Sequence, residues 1–297
     1  MTINTTNHAA FVPEIWAAQA LGYLKANTVM VNLVNKDFQN EIARDGDTIN
    51  IPQRGSLSVQ TKTAGGTFSP ESPTGTSVAA TVTHKYVSFI VEDIAEAQSR
   101  PELIGGYIED GIKLIGEDID QAILNLYSGF STTPIDATAG IAVGSITEAR
   151  RLLNSAKVPQ MDRYIVWHED AEAEILKLAQ FTSAQNDPAN ATALQNATMG
   201  RKFGFAHYMD QQVAVATGEV KNLAFHRDAI TLATRVLPAP PAGLGANAST
   251  MSEDGIGVRV LWGYNMSYGG VQVNIEILYA VAEMRDNHAV VIRSTEV

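Results

Sequence analysis

The residue types that could support metal binding or catalysis are few in this sequence, and their spacing fits neither. His168-Glu169-Asp170-Ala171-Glu172 begins like the helix of a zinc protease, but it lacks the second histidine four residues on. Acidic residues in such a segment are typical of the first turn of a helix, where they interact favourably with the helix dipole. We interpret the segment as a helix start.

Other catalytic and cofactor-binding motifs are missing as well. No glycine precedes a lysine as in a Walker loop, no G-x-S-x-G segment supplies a hydrolase serine, and Gly255-Ile256-Gly257 lies in a strand-like run. The histidines lack metal-ligand spacing; they are His8, His84, His168, His207, His226 and His288. The sequence therefore predicts no metal, no cofactor and no enzyme active site, and it favours a structural role.

Composition limits the class of protein further. The chain has 297 residues, of which 45% are hydrophobic and 18% charged, so it can bury a sizeable core and is not disordered. The net charge of -11 argues against non-specific nucleic-acid binding, which needs clustered Lys and Arg. Without cysteine there are no disulfides or thiolate sites. The first ten residues lack the regions of a signal peptide, and no apolar run is long enough to span a membrane. We expect a soluble protein.

Residues 48–90 predict two strands that flank a long polar loop. TINIP and SVAATVTHKYVSFIVED have strand patterns, and the stretch between them is rich in Gly, Ser, Thr and Pro. Such an extended hairpin cannot bury both of its faces and needs a partner surface. This segment has a net charge of +2, whereas residues 91–130 have a net charge of -7, which suggests two surfaces that attract each other.

The segment 99–128 predicts one long helix. Ser99, Pro101 and Glu102 form a start signal. A single apolar stripe follows at spacings of three and four residues: Ile104, Ile108, Ile112, Ile115, Ile119, Ile123 and Leu126. The acidic residues of the helix occupy the other faces, which we interpret as solvated or partner-facing: Glu109, Asp110, Glu117, Asp118 and Asp120.

An α/β pattern follows the helix. Ser145 and Glu148 form a second capping box that opens the helix ITEARRLLNSA, RYIVW predicts a buried strand, and EDAEAEILKLAQF predicts another helix. The last forty residues or so alternate and contain Gly269-Gly270, which suggests a β-meander.

The order of these parts resembles that of the major capsid proteins of tailed double-stranded DNA bacteriophages. The segments that carry the resemblance are FVPEIW, DGDTINIPQRG, YVSFIVEDIAEAQSRPELI, SITEARRLLNSAKVP with DRYIVWHEDAEAEIL, MGRKFGFAHYMDQQV, NLAFHRDAITLATR and LYAVAEMRDNHAVVI. They cover essentially the whole chain and occur in the family's order.

The resemblance implies an α+β fold of the Hong Kong phage type. Its parts are expected as an N-terminal arm at 1–47, an extended loop at 48–90, a peripheral domain at 91–144 with the spine helix at 99–128, an axial domain at 145–236, and C-terminal strands at 237–297 that return to the peripheral domain.

It also implies a shell protein of the virion that assembles in the host cytoplasm into hexamers and pentamers around the packaged double-stranded DNA, without specific DNA binding and without a membrane. No long charged helical segment precedes FVPEIW, so a separate scaffolding protein is expected together with a portal, and a decoration protein is a further partner that the resemblance allows.

In such a shell, the loop at 48–90 would lie over the acidic helix region of an adjacent subunit. The cations Arg54, Lys62 and Lys85 would face Glu109, Glu117 and Asp118 and set the register. Apolar groups would provide most of the cohesion; the candidates are Phe68 at the loop tip and Phe11, Ile15 and Trp16 in the arm.

Two other classes of protein stay open. An encapsulin-like compartment protein would share the fold but enclose enzymes, and an α/β enzyme could have dispersed site residues without a motif. A mobile loop is the alternative interpretation of the polar segment.

Overall fold

The computed structural model describes residues 2–3, 29–38, 48–93, 102–182, 199–241, 246–253 and 256–296. The α-helices of this part are α1 (Glu102–Leu124), α2 (Val143–Ser155), α3 (Glu169–Ile175) and α4 (Ala179–Thr182). The strands are β1 (Thr2–Ile3), β2 (Thr48–Gln53), β3 (Thr76–Thr81), β4 (Thr83–Glu92), β5 (Ile135–Asp136), β6 (Arg163–Trp167), β7 (Arg201–Lys202), β8 (Phe205–Met209), β9 (Val215–Ala216), β10 (Glu219–His226), β11 (Ile230–Arg235), β12 (Ala246–Glu253), β13 (Ile256–Asn265), β14 (Gly270–Glu283) and β15 (Ala289–Thr295).

The first sheet is organised around β14, a strand of 14 residues. Strand β4 runs antiparallel along one edge of β14, and β13 and then β11 follow one another along the opposite edge. The order is β1-β4-β14-β13-β12. The meander that the sequence predicts over the last forty residues or so is confirmed in part, since β13 and β14 are adjacent antiparallel strands of this sheet, whereas β15 lies in the second sheet.

The second sheet has the order β5-β15-β10-β6-β8-β7, with β9 also paired to β10. Two strands therefore do not lie in the sheet expected from the domain boundaries predicted at 145–236 and 237–297. Strand β15 does not return to the first sheet with the rest of segment 237–297, because it pairs with β10. Strand β11 belongs to the expected axial segment 145–236 but pairs with β14 in the first sheet.

Helix α1 has the apolar stripe that the sequence predicts. Its described isoleucines are all buried: Ile108, Ile112, Ile115, Ile119 and Ile123. Gly111 allows the helix to approach the first sheet closely, because a Cβ atom there would lie 3.1 Å from Ile275 and 3.3 Å from Val87. The predicted start signal at Ser99 and Pro101 and the side chain of Ile104 lie outside the described residues. A 3-10 turn at Asn125–Ser128 follows the helix.

The stripe of α1 joins the two sheets into one core. Ile112 and Ile119 belong to the same buried cluster as Ile275 of β14 and as Leu223 and Phe225 of β10. The other face of the second sheet packs against α2 in a second cluster, which contains Ile146, Ala149, Leu153, Ile165, Ala224, Val290 and Ile292. Because successive residues of β10 point to opposite faces, this strand contributes to both clusters.

The predicted capping box of α2 is wrong. The helix begins at Val143 with Ala142 as N-cap, so Ser145 lies inside the first turn, where its amide donates to the carbonyl of Ala142. Glu148 instead accepts hydrogen bonds from the Arg151 guanidinium at 2.8 and 2.6 Å. The apolar face is as predicted, since Ile146, Ala149 and Leu153 are buried and Leu152 is half-buried.

The predicted helix EDAEAEILKLAQF is two helices in the structure. His168 caps the first one, because its Nδ1 accepts from the amide of Asp170 at 3.3 Å. Helix α3 ends at Ile175 and α4 starts at Ala179. Phe181 of α4 packs edge-on against His207, with ring centroids 5.3 Å apart, and the indole of Trp167 donates to Nδ1 of His207 at 3.0 Å.

The described part of the N-terminal arm is packed against the body of the subunit. Met30, Val31, Leu33 and Val34 are buried in the main cluster. The backbone of Asn35 forms hydrogen bonds of 3.0 and 2.9 Å with Ile230 and Leu232, at the first residues of β11. Within the described residues, no helix is both long and apolar enough to span a bilayer.

Candidate assembly surface

Strands β2 and β3 form a hairpin, and its root is fixed to the first sheet. The sequence predicts one continuous strand over 77–93, but the structure divides this stretch in two: β3 pairs with β2, whereas β4 pairs with β14 in the first sheet. Ile49, Ile51 and Ala80 form a small buried cluster with three alanines of β11 and β14, which are Ala233, Ala280 and Ala282. The side-chain amide of Gln53 also donates to the carbonyl of Met284. The root therefore has its own apolar anchor on the body of the subunit.

Residues 54–75, the loop tip, have no helix or strand and project beyond this anchor. A turn at Thr63–Gly66 reverses the chain, with a hydrogen bond of 3.0 Å from the amide of Gly66 to the carbonyl of Thr63. The apolar side chains of the tip are exposed; they are Leu57, Val59 and Phe68, the last with 81% of its surface accessible. Apolar groups left exposed on one projecting segment are typical of a surface that a partner covers.

Glu71 ties the two sides of the loop tip together. Its carboxylate accepts hydrogen bonds from the Ser58 amide at 2.9 Å, from the Ser58 hydroxyl and from the Gln60 side chain at 2.7 Å. These bonds, above all those from Ser58, lower the pKa of Glu71 to about 2. This contact could not be predicted from the sequence, because it depends on how the two sides of an irregular loop align.

Two of the predicted contact residues meet at the tip. The ammonium group of Lys62 lies 4.4 Å from the centroid of the Phe68 ring, which is a cation–π distance. Arg54, where the tip begins, is exposed. The tip therefore presents two cations and one aromatic ring on a segment that carries a single acid, Glu71.

Two other predicted contact residues meet each other within the chain. Nζ of Lys85 on β4 lies 2.9 Å from Oδ1 of Asp118 on α1, and the hydroxyl of Tyr279 donates to Oδ2 of Asp118 at 2.6 Å. Burial and this carboxylate raise the pKa of the Tyr279 hydroxyl. Sequence reasoning missed Tyr279, whose partner lies 161 positions away along the chain.

The acidic side of α1 is exposed in part. Asp110 and Glu117 are exposed, and the side chain of Glu109 lies outside the described residues. The prediction that Asp120 also faces solvent is wrong, because only 3% of its surface is accessible. The arm covers it, and its Oδ2 accepts from the amides of Val29 and Met30 at 3.0 and 3.4 Å. The other predicted apolar contacts, Phe11, Ile15 and Trp16, lie outside the described residues.

Within the described residues there is no group of three or more His, Cys, Asp or Glu side chains that could hold a metal ion. The surface consists instead of an anchored hairpin with a cationic and apolar tip, and of a long helix with exposed carboxylates.

Comparison with solved structures identifies the fold. A structure from Mycobacterium phage Che8 matches with a TM-score of 0.68 at 20% identity, over 90% of this chain and 91% of that chain. The capsid structure of the cyanophage P-SCSP1u matches with a TM-score of 0.66 at 12% identity, over 100% of this chain and 93% of that one. No protein-family model matches the sequence, and no curated protein is significantly similar to it.

A third match extends the fold beyond phages. A virus-like particle from Pyrococcus furiosus matches with a TM-score of 0.53 at 7% identity, over 94% of this chain and 98% of that chain. The chain therefore has the α+β fold of the capsid proteins of tailed phages, the Hong Kong phage type, and the predicted fold class is confirmed.

Proposed function

We propose that this chain is the major capsid protein of a tailed bacteriophage, a structural subunit that assembles into hexamers and pentamers of an icosahedral shell. One observation carries the proposal: the match to the P-SCSP1u capsid structure extends over the whole chain, and so includes the hairpin whose tip projects from the subunit. An irregular segment of 22 residues, 54–75, is longer than most loops of compact domains and is typical of a segment with a function of its own.

The loop tip would contact the acidic side of α1 in a neighbouring subunit. Because Lys85 and Asp118 already form an ion pair within the chain, we assign the attraction between subunits to Arg54 and Lys62 of the tip and to Asp110 and Glu117 of the helix. Glu109 remains a proposed member of the acidic set.

Apolar burial would supply most of the cohesion. Phe68 is 81% exposed, and burial of such a side chain contributes about 1.5–3 kcal/mol. An exposed ion pair contributes only about 0–1 kcal/mol, so the charges would set the register of the contact. We keep Phe11, Ile15 and Trp16 of the arm as proposed apolar contacts on the same grounds of residue type.

The domains would then be divided differently from the sequence boundaries. We propose that the axial domain comprises the second sheet with α2 to α4, including β15, and that the peripheral domain comprises α1 and the first sheet, including β11. The pairing of β15 with β10 and of β11 with β14 supports this division.

The contents and partners of the shell follow from the same proposal. Each subunit has a net charge of -11, so the shell would not adhere to the phosphates of packed DNA. Weak adhesion suits a shell into which DNA is packaged and from which it is later released. Assembly in the host cytoplasm would use a separate scaffolding protein and a portal, and a decoration protein could bind the finished virion.

A compartment shell that encloses enzymes is the second candidate function, because the fold also matches the virus-like particle from Pyrococcus furiosus. The neighbouring genes distinguish the two functions. Terminase and portal genes beside this one support a phage capsid, whereas the gene of a cargo enzyme there would support a compartment.

Size-exclusion chromatography followed by negative-stain electron microscopy of the purified chain tests the shell proposal itself. We expect rings of five and six subunits or closed particles. A monomer or small oligomer at every concentration, with the loop tip protected from protease, would contradict it.

A further inference from the structure

A cavity of about 410 Å³ lies between α1, the arm and the segment that follows β8. Its lining includes Val29 of the arm, Asp120 of α1 and Asp210, the first residue after β8. Asp120 and Asp210, here called the carboxyl pair, are 3% and 7% exposed, so both are more than nine-tenths buried. Neither belongs to the loop surface described above.

Each member of the carboxyl pair holds a different part of the chain with one oxygen. Oδ2 of Asp120 accepts from the amides of Val29 and Met30. Oδ1 of Asp210 accepts from the amide of Gln212 at 2.8 Å, and the Asp210 amide donates to the carbonyl of Trp167 at 2.9 Å. The pair therefore lies where the arm, the long helix and the second sheet meet.

The second oxygen of each carboxyl is buried without a donor. Oδ1 of Asp120 and Oδ2 of Asp210 have no hydrogen-bond partner within the described residues. Two buried carboxylates side by side would be strongly unfavourable, but a proton on one of them turns that carboxyl into a donor for the other. The two side chains are close enough to form a hydrogen bond with each other, so one shared proton can satisfy both carboxyls.

Electrostatics agree with this geometry. Burial, followed by the charge of Asp210, raises the pKa of Asp120 to about 8, and burial also raises the pKa of Asp210. Among the described residues, the other charged groups that line the cavity are Lys113 and Glu117, both on α1. The described lining residues from the arm and from the end of β8 onward are uncharged: Val29, Met209, Gln211 and Gln212. A metal ion is a weaker candidate than a proton, because no described cluster has three ligands of the kind that hold one.

We propose that the carboxyl pair is a pH-sensitive link, in which one shared proton fastens the arm and the long helix to the second sheet. The contacts lie within one chain, so the proposal holds for an isolated subunit and is independent of shell assembly.

The direction of the pH effect follows from linkage. A carboxyl protonated in the closed state binds more protons there than in an open state, where Asp titrates near its ordinary value of 3.8. The link is fully formed below that value, weakens by up to tenfold per pH unit as the pH rises toward about 8, and stays weak above it.

Hydrogen exchange of the full chain, followed by mass spectrometry between pH 5.5 and 9, tests the proposal on the peptide that contains residues 29–34. After correction for the intrinsic pH dependence of exchange, wild-type protection should fall by up to tenfold per pH unit up to about pH 8 and then level off. In Asp210→Asn the amide can donate to Asp120 without a shared proton, so the decline should disappear.

Asp162→Asn is the matched control, since it removes an exposed carboxylate that does not line the cavity and keeps the carboxyl pair, and its decline should equal that of the wild type. Two results would overturn the proposal. One is the same decline of protection with pH in wild type and in Asp210→Asn; the other is wild-type protection that does not change with pH. A third result would also overturn the proposal. If calcium or magnesium chloride restores protection at pH 8.5 in wild type but not in Asp210→Asn, a bound cation and not a shared proton forms the link.

Discussion

Tyr279 of β14 and Asp118 of α1 are joined by a hydrogen bond of 2.6 Å between the phenol hydroxyl and Oδ2 of the carboxylate. Lys85 of β4 binds the other oxygen of the same carboxylate. One side chain of the helix is thus attached to two adjacent strands of the first sheet, at the foot of the extended hairpin.

The two attachments should differ in strength. Tyr279→Phe leaves a carboxylate without its buried donor and should lower the free energy of unfolding by about 1.5–3 kcal/mol. Lys85→Met removes an ion pair between half-exposed groups and should change it by about 0–1 kcal/mol. Urea denaturation of the two variants provides the comparison. A larger effect of Lys85→Met would show that the ion pair is the main attachment.

The stripe of α1 should dominate the stability of the subunit. Ile119 is fully buried between the two sheets, so Ile119→Ala should lower the free energy of unfolding by about 2–5 kcal/mol. Leu114, on the same helix, is 56% exposed, and Leu114→Ala should stay within about 0.5 kcal/mol of wild type. Urea denaturation measures both changes. Equal losses of unfolding free energy in Ile119→Ala and Leu114→Ala would contradict the position of the helix between the sheets.

The loop tip should matter for assembly and not for folding. Phe68→Ala and Lys62→Glu should both reduce particle yield, and Lys62→Glu should also make the remaining assembly less sensitive to salt. Neither change should shift the urea midpoint of the subunit, since both side chains are exposed. Particle counts by negative-stain microscopy at several salt concentrations measure the effect.

Lys177→Glu serves as the control for the loop variants, because Lys177 is an exposed cation outside the loop, between α3 and α4. It should assemble like the wild type. A loss of particles in this control equal to that of Lys62→Glu would attribute the effect to net charge instead of the loop tip.

His207 should make the subunit sensitive to acid. Burial lowers its pKa from 6.5 to about 4, so the folded state binds fewer protons than the unfolded chain between these values. Stability should fall as the pH drops from about 6.5 to 4, by at most about 3 kcal/mol from this residue. His207→Gln retains an acceptor for Trp167 but does not titrate, so urea midpoints at pH 7 and 4.5 should differ less in this variant.

Leu114→Ala is the control for His207→Gln, because Leu114 is 56% exposed and its side chain does not ionise. Its midpoints should show the same dependence on pH as those of the wild type. If the urea midpoints of His207→Gln at pH 7 and pH 4.5 differ as much as those of the wild type, other groups determine the acid sensitivity.

The spacing of apolar residues within a segment predicted those helices and strands whose buried face is determined by their own sequence. The isoleucine spacing of α1 determines which face is buried, and alternation with turn-forming residues determines the β2–β3 hairpin. RYIVW is a strand over its full length, Arg163–Trp167.

The features that could not be predicted depend on contacts between distant segments. Asp120 resembles the other acids of its helix in sequence, and only the arm, 90 positions away, explains its burial. Likewise, nothing in AVVIRST distinguishes a strand of the first sheet from one of the second, because both environments bury the same residue types. The contact residues of the proposed shell remain predictions for the same reason: their partners lie on another chain.

The anchor of the hairpin has a consequence for engineering. Ile49, Ile51 and the alanines hold its root, while the turn at its far end is open, with nothing within 4 Å of where a Cβ atom on Gly65 would lie. Extra residues inserted at that turn would lengthen the hairpin without disturbing the body. In the proposed shell, the length of this single turn would therefore determine how far the tip reaches over the neighbouring subunit.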